Sequence, residues 1–160
     1  MEKLFNYLLN RNPTIKEIQK LNKKTFQEIN QYILGINEYL ETVENSKKII
    51  LSTIENNLGN IKIHKKILVE ISNIYKSNNH KKKYINNYLN VKKLEIKGKV
   101  NSFLQNYFPI SNNFDYSEFY CIFFENNFDY NRIDFLVINS NLFLNLAEKE
   151  LGKFYKKNKI

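Results

Sequence analysis

Six apolar residues spaced 3-4-3-4-3 limit what this chain can fold into more than any other feature. Phe26, Ile29, Ile33, Ile36, Leu40 and Val43 follow the a/d pattern that keeps one face of an α-helix apolar. With Ile15 and Ile18 ahead of them, the spacing predicts a helix over 14–45, roughly 48 Å long at about 1.5 Å per residue. Asn12-Pro13-Thr14 opens it, because proline is tolerated in a first turn and Thr14-x-x-Glu17 fits a capping box. Such a stripe serves a bundle within one chain or a coiled coil pairing two copies. Both uses stay open, so a homodimer through helix 14–45 is a candidate assembly.

The flanking segments extend the helical pattern. Residues 2–11 place Leu4, Phe5, Leu8 and Leu9 on one side of a short helix. Asn45-Ser46 offers a break, after which Ile50, Ile54 and Leu58 lead to a stop at Leu58-Gly59-Asn60. A continuous rod over 14–58 fits the same residues. Over 61–78, Ile61, His64, Ile67, Leu68, Ile71, Ile74 and Tyr75 share one helical face, opposite Lys62, Lys65, Lys66, Asn73 and Lys76. Ser77 to His80 reads as a polar loop. Over 81–108, Ile85, Leu89, Ile96, Val100, Phe103 and Tyr107 share a face, while Leu94–Val100 also alternates with period two around Gly98. A helix kinked near Gly98 is favoured over a strand at 93–101.

Pro109 closes this region and the composition changes. Fifteen of the 23 Phe and Tyr residues lie in 101–160, so the end of the chain must bury aromatic rings. Asn112-Asn113-Phe114-Asp115-Tyr116 recurs as Asn126-Asn127-Phe128-Asp129-Tyr130, and each copy leads into an apolar run, Phe119–Phe124 and Ile133–Ile138. Asn and Asp favour turns, so the pattern predicts an antiparallel hairpin. A closing helix from Asn141 to about Lys157 buries Leu142, Phe143, Leu146 and Leu151 and ends in a basic tail. The expected fold is α+β: a helical hairpin or bundle over 1–108, then a small aromatic β-hairpin and closing helix over 109–160, packed as one unit. Both faces of the hairpin are apolar, and a two-stranded ribbon is marginal alone. Phe114, Tyr116, Tyr120, Phe124 and Tyr130 are therefore candidates for a protein interface.

Charge is distributed as unevenly as the aromatics. The net charge is +9, and residues 61–100 carry all of it, with eleven Lys against two Glu. Asn, Lys and Ile together supply 70 of 160 residues. These residue types have A/T-rich codons, as in an AT-rich bacterium, a phage or other mobile element, or a large DNA virus. Codon bias spreads lysine evenly, whereas this lysine is concentrated, and an anionic partner accounts for that. The candidate contacts are Lys62, Lys65, Lys66, Lys76, Lys81, Lys82, Lys83, Lys92 and Lys93, with Tyr84 and Tyr88 placed to stack on single-stranded bases. The segment has no arginine, so bidentate reading of guanine is not implied.

Other chemistry finds little support. Asp115, Glu118, Glu125, Asp129 and Asp134 resemble a nuclease metal set only superficially, and turn-forming Asp and surface Glu account for them. Cys121 sits in the most apolar run, as a buried cysteine does. His64 lies on an apolar face, and His80 sits in a basic loop that favours its neutral form. No phosphate loop, dinucleotide fingerprint or His-Glu-x-x-His is present, and no cofactor or metal is expected. The longest strongly apolar run, Phe119–Phe124, is far short of the roughly 18 residues that span a membrane. The first residues lack a charged and then apolar leader, so the expected address is intracellular, in the cytoplasm. The composition favours a non-enzymatic protein that binds nucleic acid or a nucleoprotein. An inhibitor or adaptor acting on a host nucleic-acid-processing complex is the alternative, and a homo-oligomeric coiled-coil scaffold the third.

Overall fold

A computed structural model describes residues 1–157, and these are about three-quarters helical. The elements are α1 (Glu2–Leu9), α2 (Ile15–Leu21), α3 (Phe26–Gly35), α4 (Asn37–Leu58), α5 (Lys65–Ser77), α6 (Lys82–Leu104), α7 (Ser117–Glu125), a 3₁₀ turn (Tyr130–Arg132), α8 (Ile133–Ile138) and α9 (Asn141–Lys157). No strand occurs among the described residues, so the expected α+β class is corrected to all-α. The basic tail at 158–160 lies outside the described residues.

The predicted long helix over 14–45 is three helices. Asn22 is extended, Lys23 is left-handed (φ 67°), and Thr25 caps α3 by accepting from the Glu28 amide at 3.2 Å. That is the same Thr-x-x-Glu signature that opens α2 at Thr14, where the capping box is complete. A second break falls at Gly35-Ile36, where Ile36 is extended. The chain turns there, and α3 packs on α1 and α4. Ile29 and Ile33 of the stripe are buried, while Phe26, Leu40 and Val43 face outward. The rod that would have carried a coiled-coil dimer does not form. Asn45-Ser46, by contrast, breaks nothing, and α4 runs through it to Gly59, whose φ of 76° suits the residue that ends a helix.

The aromatic hairpin is also helical. Phe119–Phe124 forms most of α7, which packs on α6 and α4 with Phe119, Phe123 and Phe124 fully buried and Tyr120, Cys121 and Ile122 half-buried. Helices apolar all round belong in cores. The Asn-Asn-Phe-Asp-Tyr repeat is helix punctuation. In its first copy Asp115 accepts from the Ser117 amide (2.9 Å) ahead of α7. In its second, left-handed Asn127 and Phe128 end α7 before the 3₁₀ turn. Ile133–Ile138 becomes the short α8 with Val137 inward.

Two hydrophobic cores result. The smaller joins Phe5, Leu8, Leu9, Leu21, Ile29 and Ile33. The larger is built on α6, whose Ile85, Leu89, Ile96, Val100 and Leu104 are buried beneath α4, α5, α7 and α8. Helix α6 passes through Gly98 without interruption, so residues 93–101 are helical. The 22 residues of α4, about 33 Å at 1.5 Å each, connect the two cores: Ile36 and Tyr39 near its start meet the small one, and Ile50, Ile54 and Leu58 the large one.

Candidate anion-binding surface

The eleven lysines of residues 61–100 divide into two populations. In the first, the ammonium groups lie over aromatic rings of the C-terminal third. Lys92 Nζ is 4.7 Å from the Phe128 ring centroid, Lys93 is 5.5 Å from Tyr120, Lys97 is 5.6 Å from Tyr116 and Lys99 is 4.9 Å from Tyr130. The lysine-rich helix and the aromatic-rich C-terminal third are thus partners, since a ring face attracts a cation. Lys92 also pairs with Glu95 at 3.6 Å. Lys93 falls where the stripe Ile85-Leu89-Ile96-Val100 calls for an apolar residue. Its stem is half-buried and its ammonium donates to the Asn57 carbonyl at 3.1 Å, in the last turn of α4, where a cation is favourable. Lys92 and Lys93 are committed within the fold.

The second population is exposed, contacts none of those C-terminal rings and has no carboxylate within ion-pairing distance among the described residues, although Lys76 and Lys83 lie over Tyr7 (4.2 Å) and Tyr84 (5.2 Å). It splits again by position. Lys62, Lys65 and Lys66 lie before and at the start of α5, beside the end of α7: the His64 amide donates to Phe124 O (3.0 Å) and the Lys62 amide to Glu125 Oε1 (3.3 Å). Lys76, Lys81, Lys82 and Lys83 lie around the turn from α5 to α6, at the opposite end of α5, about 18 Å away by helical rise.

The structure adds two residues to this second end. Lys47 lines one hollow with Lys76 and His80, and Lys48 lines another with Lys82 and His80. Both come from the middle of α4, some thirty residues earlier and inside a stretch of net charge +1, so no local charge pattern marks them. Four lysines therefore line two hollows that share His80 at one corner of α4, α5 and α6, with Lys81 and Lys83 beside Lys82 in sequence. At its centre left-handed Asn79 and His80 make the turn, and the His80 ring stacks on Tyr75 at 5.1 Å. Burial and the Lys76 charge hold the His80 pKa below the usual histidine value. Helix α6 begins here with Lys81 at its N-cap, no capping side chain and no acidic residue in its first turn. Uncapped amides and the positive end of the helix dipole add to the lysine field.

The remaining sequence candidates take structural places. Tyr88 is half-buried, donates to Glu70 Oε2 (2.9 Å) and is not free to stack on a base, while Tyr84 is half-buried beside Lys83. Burial first, and the Glu70 bond second, push the Tyr88 phenol well above its ordinary pKa. Tyr116 and Phe124 are buried in the larger core, and Phe114, Tyr120 and Tyr130 pack partly buried against it. The carboxylates disperse: Glu118 accepts from the Asn141 amide (2.9 Å), Glu125 from Lys62, and Asp115 from Ser117. Cys121 points its Sγ at Leu58 O (3.4 Å), and burial pushes its thiol pKa up. His64 is the N-cap of α5, its Nδ1 accepting from the Lys66 amide at 3.1 Å.

No protein-family model, curated protein or solved structure matches this chain. Any functional reading therefore rests on the residues. No helix among the described residues is long and apolar enough to cross a membrane.

Proposed function

We propose that this chain is a non-enzymatic binding protein that engages a polyanion, nucleic acid or nucleoprotein, through the basic corner of α4, α5 and α6. One observation carries the reading: Lys47, Lys48, Lys76 and Lys82 line adjoining hollows at one corner, flanked by Lys81 and Lys83, and none of the six is within ion-pairing distance of a carboxylate among the described residues. Three of them crowd a helix N-terminus, where cations oppose the dipole by about 0.3–1 kcal/mol each. Such an arrangement costs the isolated fold and is relieved by an anion. Ammonium groups dock phosphates as point charges, without bidentate base recognition. Lys62, Lys65 and Lys66 form a second, more distant contact for a ligand long enough to follow α5.

The test is fluorescence anisotropy with labelled single- and double-stranded RNA and DNA at about 50 and about 200 mM salt, a range over which several phosphate contacts change affinity by orders of magnitude. Binding should fall steeply with salt. The Lys81→Glu, Lys82→Glu, Lys83→Glu variant should lose it, and the same change at Lys62, Lys65 and Lys66 should weaken it less. No binding at low salt overturns the proposal.

A second reading, an inhibitor or adaptor held by a protein partner, draws on the far end of the molecule. There Ile15 and Phe26 are 75% and 70% exposed on α2 and α3. Under it, nucleic acid does not bind and a protein is captured by wild type but not by Phe26→Asp.

A further inference from the structure

Between the two cores lies a cleft of about 280 Å³, with α4 as its floor and α1 and α5 as its walls. Its size is at the lower end of small-molecule sites, roughly 300–1,000 Å³. Leu8, Val43, Ile50, Leu51 and Leu68 contribute aliphatic surface. Val43 and Leu51 are more than 40% exposed, so apolar side chains that would ordinarily be covered converge here on one concave site. Thr42 and Ser72 also line it, but their hydroxyls donate to carbonyls of their own helices, Glu38 O and Leu68 O, both at 2.8 Å. Those two protons are committed, while the hydroxyls of Tyr7, Tyr39 and Ser46 also line the cleft.

The charged lining has one sign. Lys47 and Lys76 line the cleft beside His80, and no Asp or Glu does, although the chain has 16 of them. The Lys76 ammonium sits 4.2 Å from the Tyr7 ring centroid and so bridges the α5 wall to α1. An apolar body with a cationic rim matches one ligand class by charge and by surface.

We propose that this cleft binds a small amphipathic anion: an unbranched aliphatic chain lies among Val43, Leu51 and Leu68, and its carboxylate meets Lys47 and Lys76. This goes beyond the polyanion reading: the head group shares Lys47 and Lys76 with the basic corner, while the tail lies among side chains that a nucleic acid on the corner need not touch.

Decanoate, decanol and decyltrimethylammonium, each kept monomeric, are titrated calorimetrically into the full chain. Decanoate should bind 1:1, about tenfold more tightly than decanol, the scale of one charge-assisted contact, and the cationic probe should not bind. Val43→Trp, which fills the cleft, should abolish decanoate binding while leaving any salt-sensitive nucleic-acid binding unchanged. Lys47→Glu with Lys76→Glu should reverse the order of the head groups. Circular dichroism confirms that each variant is folded, and Leu51→Trp replaces Val43→Trp if that variant is not. Equal binding of the three probes, decanoate binding that survives the filled cleft, or no decanoate binding by wild type each overturns the proposal. Since nucleic-acid binding is read separately, failure here is distinguishable from failure of the polyanion reading.

Discussion

The two cores use charge in opposite ways. The small core has six buried apolar residues and the large one sixteen, so the first has far less apolar burial to hold it. It is reinforced by one guanidinium. Arg11 meets both Glu17 oxygens (2.8 and 3.2 Å) and both Glu38 oxygens (2.7 Å each), tying the loop after α1 to α2 and α4. This chain has 23 Lys and two Arg, and an Arg stands where two carboxylates must be gripped at once, which needs five donors in a plane. Around the large core, lysines instead lie over aromatic rings and leave the carboxylates to cap helices. The small core thus holds its one arginine between two carboxylates, whereas the large one sets lysines over rings, and the lysines at its α4–α5–α6 corner lie where anions are proposed to bind.

The strongest way to break the comparison is to empty each core in turn. Phe123 and Ile33 are both fully buried. Phe123→Ala should cost about 3–5 kcal/mol and Ile33→Ala about 2–5 kcal/mol. The contrast lies in where the cost appears. By segment-resolved hydrogen exchange, Phe123→Ala should lower protection throughout α4 to α8. Ile33→Ala should release α1, α2 and α3 while α6 keeps its protection. Uniform loss in both variants would make the molecule one cooperative unit and erase the distinction.

Next in size is the Arg11 clamp. Arg11→Lys keeps the charge but not the paired geometry, and should loosen α1–α3 by up to about 1.5–3 kcal/mol, the range for hydrogen bonds to charged groups. Acid sharpens the point. The Arg11 bonds hold the Glu17 pKa down to about 2 and also lower that of Glu38. A depressed carboxylate contributes stability that is complete above its unfolded pKa, about 4.3, and is lost as pH falls toward the folded value. His80 is also depressed, by burial first and Lys76 second. Below its unfolded pKa of about 6.5 the unfolded chain takes up the proton more readily, so stability falls with pH there too. The α5–α6 turn should therefore soften first, below about pH 6.5, and α1–α3 only below about pH 4.3. Arg11→Lys should blunt the second step alone, as read by exchange across a pH series. A single acid transition shared by both regions would contradict this.

These differences were partly legible in the residues. The α1 stripe, the Thr14 capping box, the Gly59 stop and the bounds of α9 follow from local rules, because short-range periodicity and caps determine them. The break before α3 carried its own signature in Thr25-x-x-Glu28, but the apolar spacing runs straight across it and reads as one helix. Phe119–Phe124 was ambiguous for a deeper reason. A strand buried on both sides and a helix enclosed by neighbours are both apolar all round, and only the presence of α6 and α4 decides between them. At the basic corner, charge density revealed the lysines of 76–83, while Lys47 and Lys48 join them only through tertiary packing. Lys93 was readable as structural, since it occupies a stripe position four residues after Leu89.

The smallest predicted effect has the opposite sign. Gly98 lies within α6, is exposed, and has no atom within 4 Å of where a Cβ would be. Glycine within a helix costs roughly 0.5–1 kcal/mol relative to alanine, chiefly because the unfolded chain is freer. Gly98→Ala should therefore stabilise the protein by about that amount and raise Tm by ~1–4 °C in a chain of this length. A kink at this position would require glycine, and the same change would then destabilise. Because α6 is the centre of the large core alone, exchange in α1–α3 should not change. If protection rises there as well, α4 transmits stability from one core to the other and the two regions are coupled along its length.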